Sequence, residues 1–130
     1  MTRYAIDAAV ALRLVVEPRA PEHPLVGPSV LRSHALSMLY RDVRAGRLDH
    51  QAGRERLDGL AALKIRLLGD RVSRSTAWRI AEQLGWDDTT MAEYLAVAVL
   101  QADALVTEDS ALRSAARDII PLASYADLLR

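Results

Sequence analysis

Apolar residues fall along this chain in two rhythms, and the switches between them mark out the elements. The clearest short run is Ala104-Leu105-Val106, followed at once by Thr107-Glu108-Asp109-Ser110 and a new helical spacing. A continuous apolar run bounded by turn residues suits an interior strand of a parallel sheet. Tyr4-Ala5-Ile6 has the same design and runs into Asp7.

Taken in order, the pattern predicts a first strand over Arg3–Ile6 and a short helix over Val10–Val15, with Asp7 in position to cap it. Glu17–Glu22 holds Pro18 and Pro21 and reads as a loop. His23–Gly27 reads as a second strand. Ser29 is the expected cap of a helix reaching Ala45 and stopping at Gly46, with Leu31, Ala35, Leu39 and Val43 as its core stripe. Asp49 is the expected cap of a third helix to about Leu63, with Leu57, Leu60 and Ala61 facing inward. Ile65–Leu68 fits either a strand or a helix end. Ser73 is the expected cap of a fourth helix through Leu84, closed by Gly85. Thr89–Ala102 is apolar nearly all round and should be the most buried helix. Then come the central strand Ala104–Val106, a helix over Ser110–Arg117, a last strand over Ile119–Leu122 and a helical turn over Tyr125–Leu129.

Strands alternating with helices imply an α/β fold, a small parallel sheet covered by helices on both faces. At 130 residues, 51% of them apolar, the chain should form one domain, 1–130, with a real core. In such sheets ligands bind at the carboxyl edge of the strands. Asp7 and Asp109, with the Thr107 hydroxyl, should meet at that edge. Each also stands where an Asp would cap the next helix, which explains either one alone.

Composition narrows the chemistry. There is no Cys, hence no disulfide and no thiolate metal site. Nothing at the start, Met-Thr-Arg-Tyr-Ala-Ile-Asp, reads as a secretory leader, and no apolar run is long enough for a membrane span, so a soluble cytoplasmic protein is expected. The net charge is zero but unevenly placed. Residues 32–79 hold eleven basic and five acidic residues, a surplus of +6; residues 80–130 hold three basic and nine acidic ones, a deficit of −6. Apart from Lys64 every basic residue is Arg, whose planar fork binds two phosphate oxygens at once. Solvated helix faces are the plainer reading of such runs. Trp78 and Trp86 read as core residues rather than platforms for bases. No Gly-rich phosphate loop, His-Glu-x-x-His or Gly-x-Ser-x-Gly is present.

The chain resembles the PIN-domain family and, within it, the VapC-type toxins of bacterial toxin–antitoxin modules. The resemblance covers nearly the whole chain. It rests on Ala5-Ile6-Asp7, on Pro28-Ser29-Val30-Leu31 and Tyr40–Leu48 at the two ends of the second helix, and above all on Ala92-Glu93-Tyr94-Leu95-Ala96 followed by Ala102–Asp109. It implies a three-layer α/β/α domain and ribonuclease cleavage dependent on Mg²⁺ or Mn²⁺, with RNA as substrate, an antitoxin protein and a homodimer as partners, and no membrane. In the family four acidic residues hold the ion, which polarises the phosphate and activates a water. Asp7 matches the first and Asp109 the last, accompanied by Thr107. His34 stands at the position of the second and Met91 at that of the third. Binding should therefore be weak.

Four neighbours bear on the two missing acids. Glu93 lies about 200° from Met91 on a helix, and closes a Thr90-x-x-Glu93 capping-box pattern. Asp88 and Asp87 lie about 60° and 40° from Met91 and are closer in direction, though Asp88 also suits a helix cap. His34 can bind a transition metal but suits Mg²⁺ poorly, and a histidine bonded at the sheet edge accounts for it equally. The expected function is a toxin-like, metal-dependent ribonuclease with a reduced metal site on Asp7 and Asp109, aided by Asp88 or Glu93; the alternative is a PIN-like domain that binds RNA or a protein without cutting. A purely structural dimerisation module is a third.

Overall fold

The computed structural model describes residues 1–130. Its elements in chain order are β1 (Tyr4–Ile6), α1 (Ala8–Val15), β2 (Leu25–Pro28), α2 (Leu31–Arg44), α3 (His50–Ala62), β3 (Arg66–Leu68), α4 (Arg71–Leu84), α5 (Thr90–Gln101), β4 (Ala104–Val106), α6 (Ser110–Ala116), β5 (Leu122–Ala123) and a 3₁₀ turn (Tyr125–Leu129). All five strands are parallel, in the order β3-β2-β1-β4-β5. The middle strand is β1; β4, expected at the centre, lies beside it, with Ile6 opposite Val106.

This order fixes where a site can form. The chain steps from β1 outward to β2 and β3, then returns across the sheet to β4 and steps outward the other way to β5. Right-handed crossovers then put the connections of the two halves on opposite faces. The packing agrees: α1, α2 and α3 touch one another, while α5 packs on α4, on α6 and against β1, β2 and β4. The result is a three-layer α/β/α sandwich whose strand order reverses between β1 and β4, the junction where such sheets leave a crevice. Helix α5 is buried over Ala92 and Tyr94–Ala98, as its apolar composition requires. Ile6, Leu105 and Val106 fill the core between the layers.

Several local expectations change. Asp70, not Ser73, caps α4: its carboxylate accepts from the Ser73 N–H at 2.8 Å, placing Ser73 inside the first turn. Ser29 does not cap α2, because its N–H bonds Leu68 O at 2.9 Å and prolongs the β2–β3 ladder, so the helix begins only after Val30. No Thr90–Glu93 capping box forms; Asp88 Oδ1 accepts from the Thr90 N–H at 3.1 Å instead. On α3 the buried positions are Gly53 and Leu60, while Leu57 and Ala61 face solvent. The second strand starts at Leu25 rather than His23. The last strand lies at Leu122–Ala123: Ile119 and Ile120 belong to a turn, and the ladder starts where Leu105 N–H bonds Pro121 O at 2.9 Å. Trp86 packs against the core, but Trp78 is 66% exposed on α4. Asp7, Asp49 and Gly85 act as expected: each Asp caps its helix, and Gly85 ends α4 at φ +68°.

Candidate functional site

Strands β1 and β4 run side by side and end together, so the residues after them meet although they lie about a hundred positions apart. Thr107 Oγ1 donates to Asp7 Oδ2 at 2.5 Å, and the same oxygen accepts from the Asp109 N–H at 3.1 Å. The second oxygen of Asp7 accepts from the Val10 N–H at 2.9 Å, capping α1. Asp109 Oδ2 accepts from the Leu112 N–H at 2.9 Å, capping α6. Arg113 closes the loop by donating to Thr107 O at 3.0 Å.

A pocket of about 390 Å³ opens over this edge, lined by Asp7, Ala8, Ala9, His34, Met38, Arg41, Met91, Asp109 and Ala111. All four positions singled out by the family resemblance therefore share one cavity. A second pocket of about 360 Å³ adjoins it through Met91, Asp109 and Ala111 and is lined by Trp86, Asp87 and Asp88. Glu93 lines neither pocket; it is half-buried, and burial pushes its carboxyl above the usual range. The helical angle separating it from Met91 explains this.

The electrostatics follow from burial. Asp7 is 4% exposed, and desolvation raises its carboxyl pKa; the Thr107 and Val10 hydrogen bonds pull the other way, while the Asp109 charge adds to the rise. Tyr94, fully buried in α5, has its phenol pushed well above the ordinary value by burial and then by the charge of Asp7. Its hydroxyl lies 2.8 Å from His34 Nδ1. This contact ties the Nδ1 edge of the His34 ring to α5 and leaves Nε2 without a protein partner.

Sequence reasoning does not find Tyr94 as a partner of the site. The signal is present, since Tyr94 follows Met91 by one helical step of three and shares its face. Nor does it place Arg41 in the pocket, although Arg41 follows His34 by two helical turns and so lies on the same face of α2.

The chain is similar to PAE2754 from Pyrobaculum aerophilum, with 23% identity, a TM-score of 0.78 and coverage of 98% of this chain and 93% of that one. It is also similar to VapBC2 from Rickettsia felis, solved bound to a DNA fragment from their promoter, with 9% identity, a TM-score of 0.63 and coverage of 94% and 98%. The fold is PIN-like. No protein-family model and no curated protein matches the chain. No helix is long and apolar enough to cross a membrane.

The residues at this edge fall short of the four acids that the PIN resemblance implies for a divalent ion. No group of three or more His, Cys, Asp or Glu side chains converges to hold a metal. The PIN-like edge offers two carboxylates. Both oxygens of Asp7 already accept hydrogen bonds, and one oxygen of Asp109 does. Met91 offers only a soft thioether, which hard cations avoid.

Proposed function

We propose that this protein is a PIN-like RNA-binding domain that holds the phosphate backbone through arginines and does not cleave it by the metal-dependent route. One observation carries this reading: the two carboxylates at the sheet edge are engaged as helix caps and joined through Thr107, and no third acid or histidine converges with them on a common point. The donor set suits a structural edge. Affinity for RNA is supported by the uneven charge, since α2 contributes Arg32, Arg41 and Arg44 and α4 contributes Arg71, Arg74 and Arg79, against one acid in each. Phosphate contacts of this kind give salt-sensitive binding with little sequence information.

The alternative is the one the resemblance implies, a toxin-like ribonuclease using weakly bound Mg²⁺ or Mn²⁺ at Asp7 and Asp109, with Asp88 supporting from the adjoining pocket. One experiment separates them. Purified protein and Asp7→Asn are incubated with single-stranded and structured RNA in Mn²⁺, beside a filter-binding assay. Salt-sensitive binding without cleavage by either protein is expected. Cleavage that disappears in Asp7→Asn while binding survives would establish the nuclease.

A protein partner is favoured by a different observation. Leu36, Tyr40 and Leu57 are exposed and line an apolar groove between α2 and α3. Such a groove suits an amphipathic helix, as an antitoxin partner would supply. Leu36→Arg with Leu57→Arg should then abolish co-purification with a small DNA-binding protein encoded beside it. Sedimentation reads out the homodimer that the resemblance also implies.

A further inference from the structure

Trp78 has no packing role that the fold requires. It stands in the middle of α4 with 66% of its surface exposed, the most exposed of the large aromatic side chains. An exposed tryptophan set among cations has the composition of a surface that takes nucleic-acid bases and phosphates. On a helix Arg71 and Arg74 fall within about 40° of Trp78, and Arg79 about 100° away. All three arginines are exposed. None is among the four ion pairs of the molecule, which join Arg13 to Glu108, Arg19 to Glu17, Arg47 to Asp42 and Arg130 to Asp127. Arg74 gives one N–H to Gly69 O at 2.9 Å and keeps its other donors free. Glu82 is the one acid of the helix and lies toward its far end.

We propose that the exposed face of α4 is a docking surface for single-stranded RNA, on which Trp78 stacks a base while Arg71, Arg74 and Arg79 hold the flanking phosphates. This deepens the RNA-binding reading above and rests on it. Aromatic side chains set among arginines are the composition that single strands require, because every base offers a face and every link a charge. A second copy of the chain is the competing occupant, given the exposed Val72, Val99 and Leu100 nearby. A two-fold dimer through this face would press the same arginine-rich patch against itself, with Asp70 at the start of α4 and Glu82 toward its end against three arginines. An anionic partner meets no such repulsion. The surface also leads toward the pockets, since α4 ends at Gly85 and the next residues, Trp86, Asp87 and Asp88, line the cavity that adjoins the sheet edge.

The test uses the full chain and a twelve-nucleotide poly(U) strand, with the same strand annealed to poly(A) as a duplex control. In Trp86→Phe protein the remaining tryptophan reports directly on the surface, and its emission should be quenched on addition of the single strand. Trp78→Ala should lower single-strand affinity about tenfold, the range stacking commands, Trp78→Phe should keep most of it, and duplex affinity should be unaffected by either, because paired bases cannot stack on the ring. Arg71→Glu with Arg79→Glu should lower affinity for both forms and flatten the salt dependence. If wild type binds poly(U) but these variants bind it equally, the surface is wrong and the RNA-binding reading survives. If wild type binds no RNA even at low salt, both are overturned. If Trp78→Ala converts a dimer to a monomer and leaves RNA affinity unchanged, the face belongs to a second copy of the chain and the proposal is overturned.

Discussion

Asp7 shows how one side chain can be pulled between structure and chemistry. Its carboxylate caps α1 and receives the Thr107 hydroxyl, yet it is buried, and burial wins: the pKa rises. In the interval between the unfolded and the folded pKa the native state holds more protons than the unfolded one, so stability falls as pH rises through that interval. Asp7 thus contributes most below its unfolded pKa and loses that contribution above its folded one. Asp7→Asn keeps a capping side chain without the charge. Its melting temperature relative to wild type should therefore climb as pH is raised from 4 to 7. Parallel melting curves across that range would mean that the Asp7 carboxyl is not shifted.

His34 and Met91 give the complementary residue-scale prediction. Placing Glu and Asp at these two positions adds two carboxylates to the cavity that already holds Asp7 and Asp109. His34→Glu with Met91→Asp should bind Mn²⁺ more tightly than wild type by calorimetry, and should melt lower in chelator, because four carboxylates without a cation repel one another. Unchanged Mn²⁺ affinity would show that the two positions do not face a common ion. The cavity itself was legible in the sequence: a strand ending in Asp7 and another ending in Thr-x-Asp had to deliver both carboxylates to one edge of a parallel sheet. Neither the hydroxyl bridge nor the Tyr94–His34 contact was, because each pairs side chains across 60 or more positions and leaves no local pattern.

At the scale of elements, type was more legible than phase. Periodicity reveals a helix, but its first residue depends on which polar group wins the free N–H groups. Before α4 the expected cap is Ser73, yet the carboxylate of Asp70, three residues earlier, takes that place; accepting that bond also holds the Asp70 pKa below the usual range. Before α2 the ladder with β3 took the Ser29 N–H before a helix could. Asp70→Ala should accordingly lower the melting temperature, and Ser29→Ala should leave it unchanged within error. The reverse order would mean that the helix starts are misplaced. The apolar run Ile119-Ile120-Pro121-Leu122 misleads for a related reason: hydrophobicity is satisfied by Ile120 buried from a turn, so burial alone does not call for a strand.

For the whole molecule the segregated charge is the property with consequences. Arg41 lines the pocket and Arg44 lies one helical step beyond it, whereas Arg47 is held by Asp42 at 2.9 Å. Arg41→Glu with Arg44→Glu should weaken RNA binding at low salt and reduce the slope of log affinity against log salt, by roughly 0.7 for each phosphate of a single strand that is no longer held. Arg47→Glu should do less, since its charge is already partly neutralised. Equal effects of the three changes would mean that a diffuse field rather than the pocket side of α2 attracts the strand. The overall architecture was readable from alternation of strands and helices, but the order of the strands was not, because each pairing is decided by crossover geometry between segments far apart in the chain.

The reversal of strand order between β1 and β4 also governs how the chain must fold. The two strands that carry Asp7 and Thr107 are separated by nearly everything else, and the Asp7–Thr107, Arg3–Asp103 and His23–Arg130 bonds all close loops of 100 residues or more. Such distant pairings are entropically costly and slow to form. A nascent chain still lacking β4 can pair β2 with β1 and β3 with β2, but it lacks Asp109 and Ala111 and so cannot complete the pocket at the sheet edge. The first few residues wait for the last third of the polypeptide before the site exists. Amide exchange at Ala5 and Val10 should therefore proceed only through global unfolding, and no amino-terminal fragment ending before Ala104 should bind what the intact domain binds.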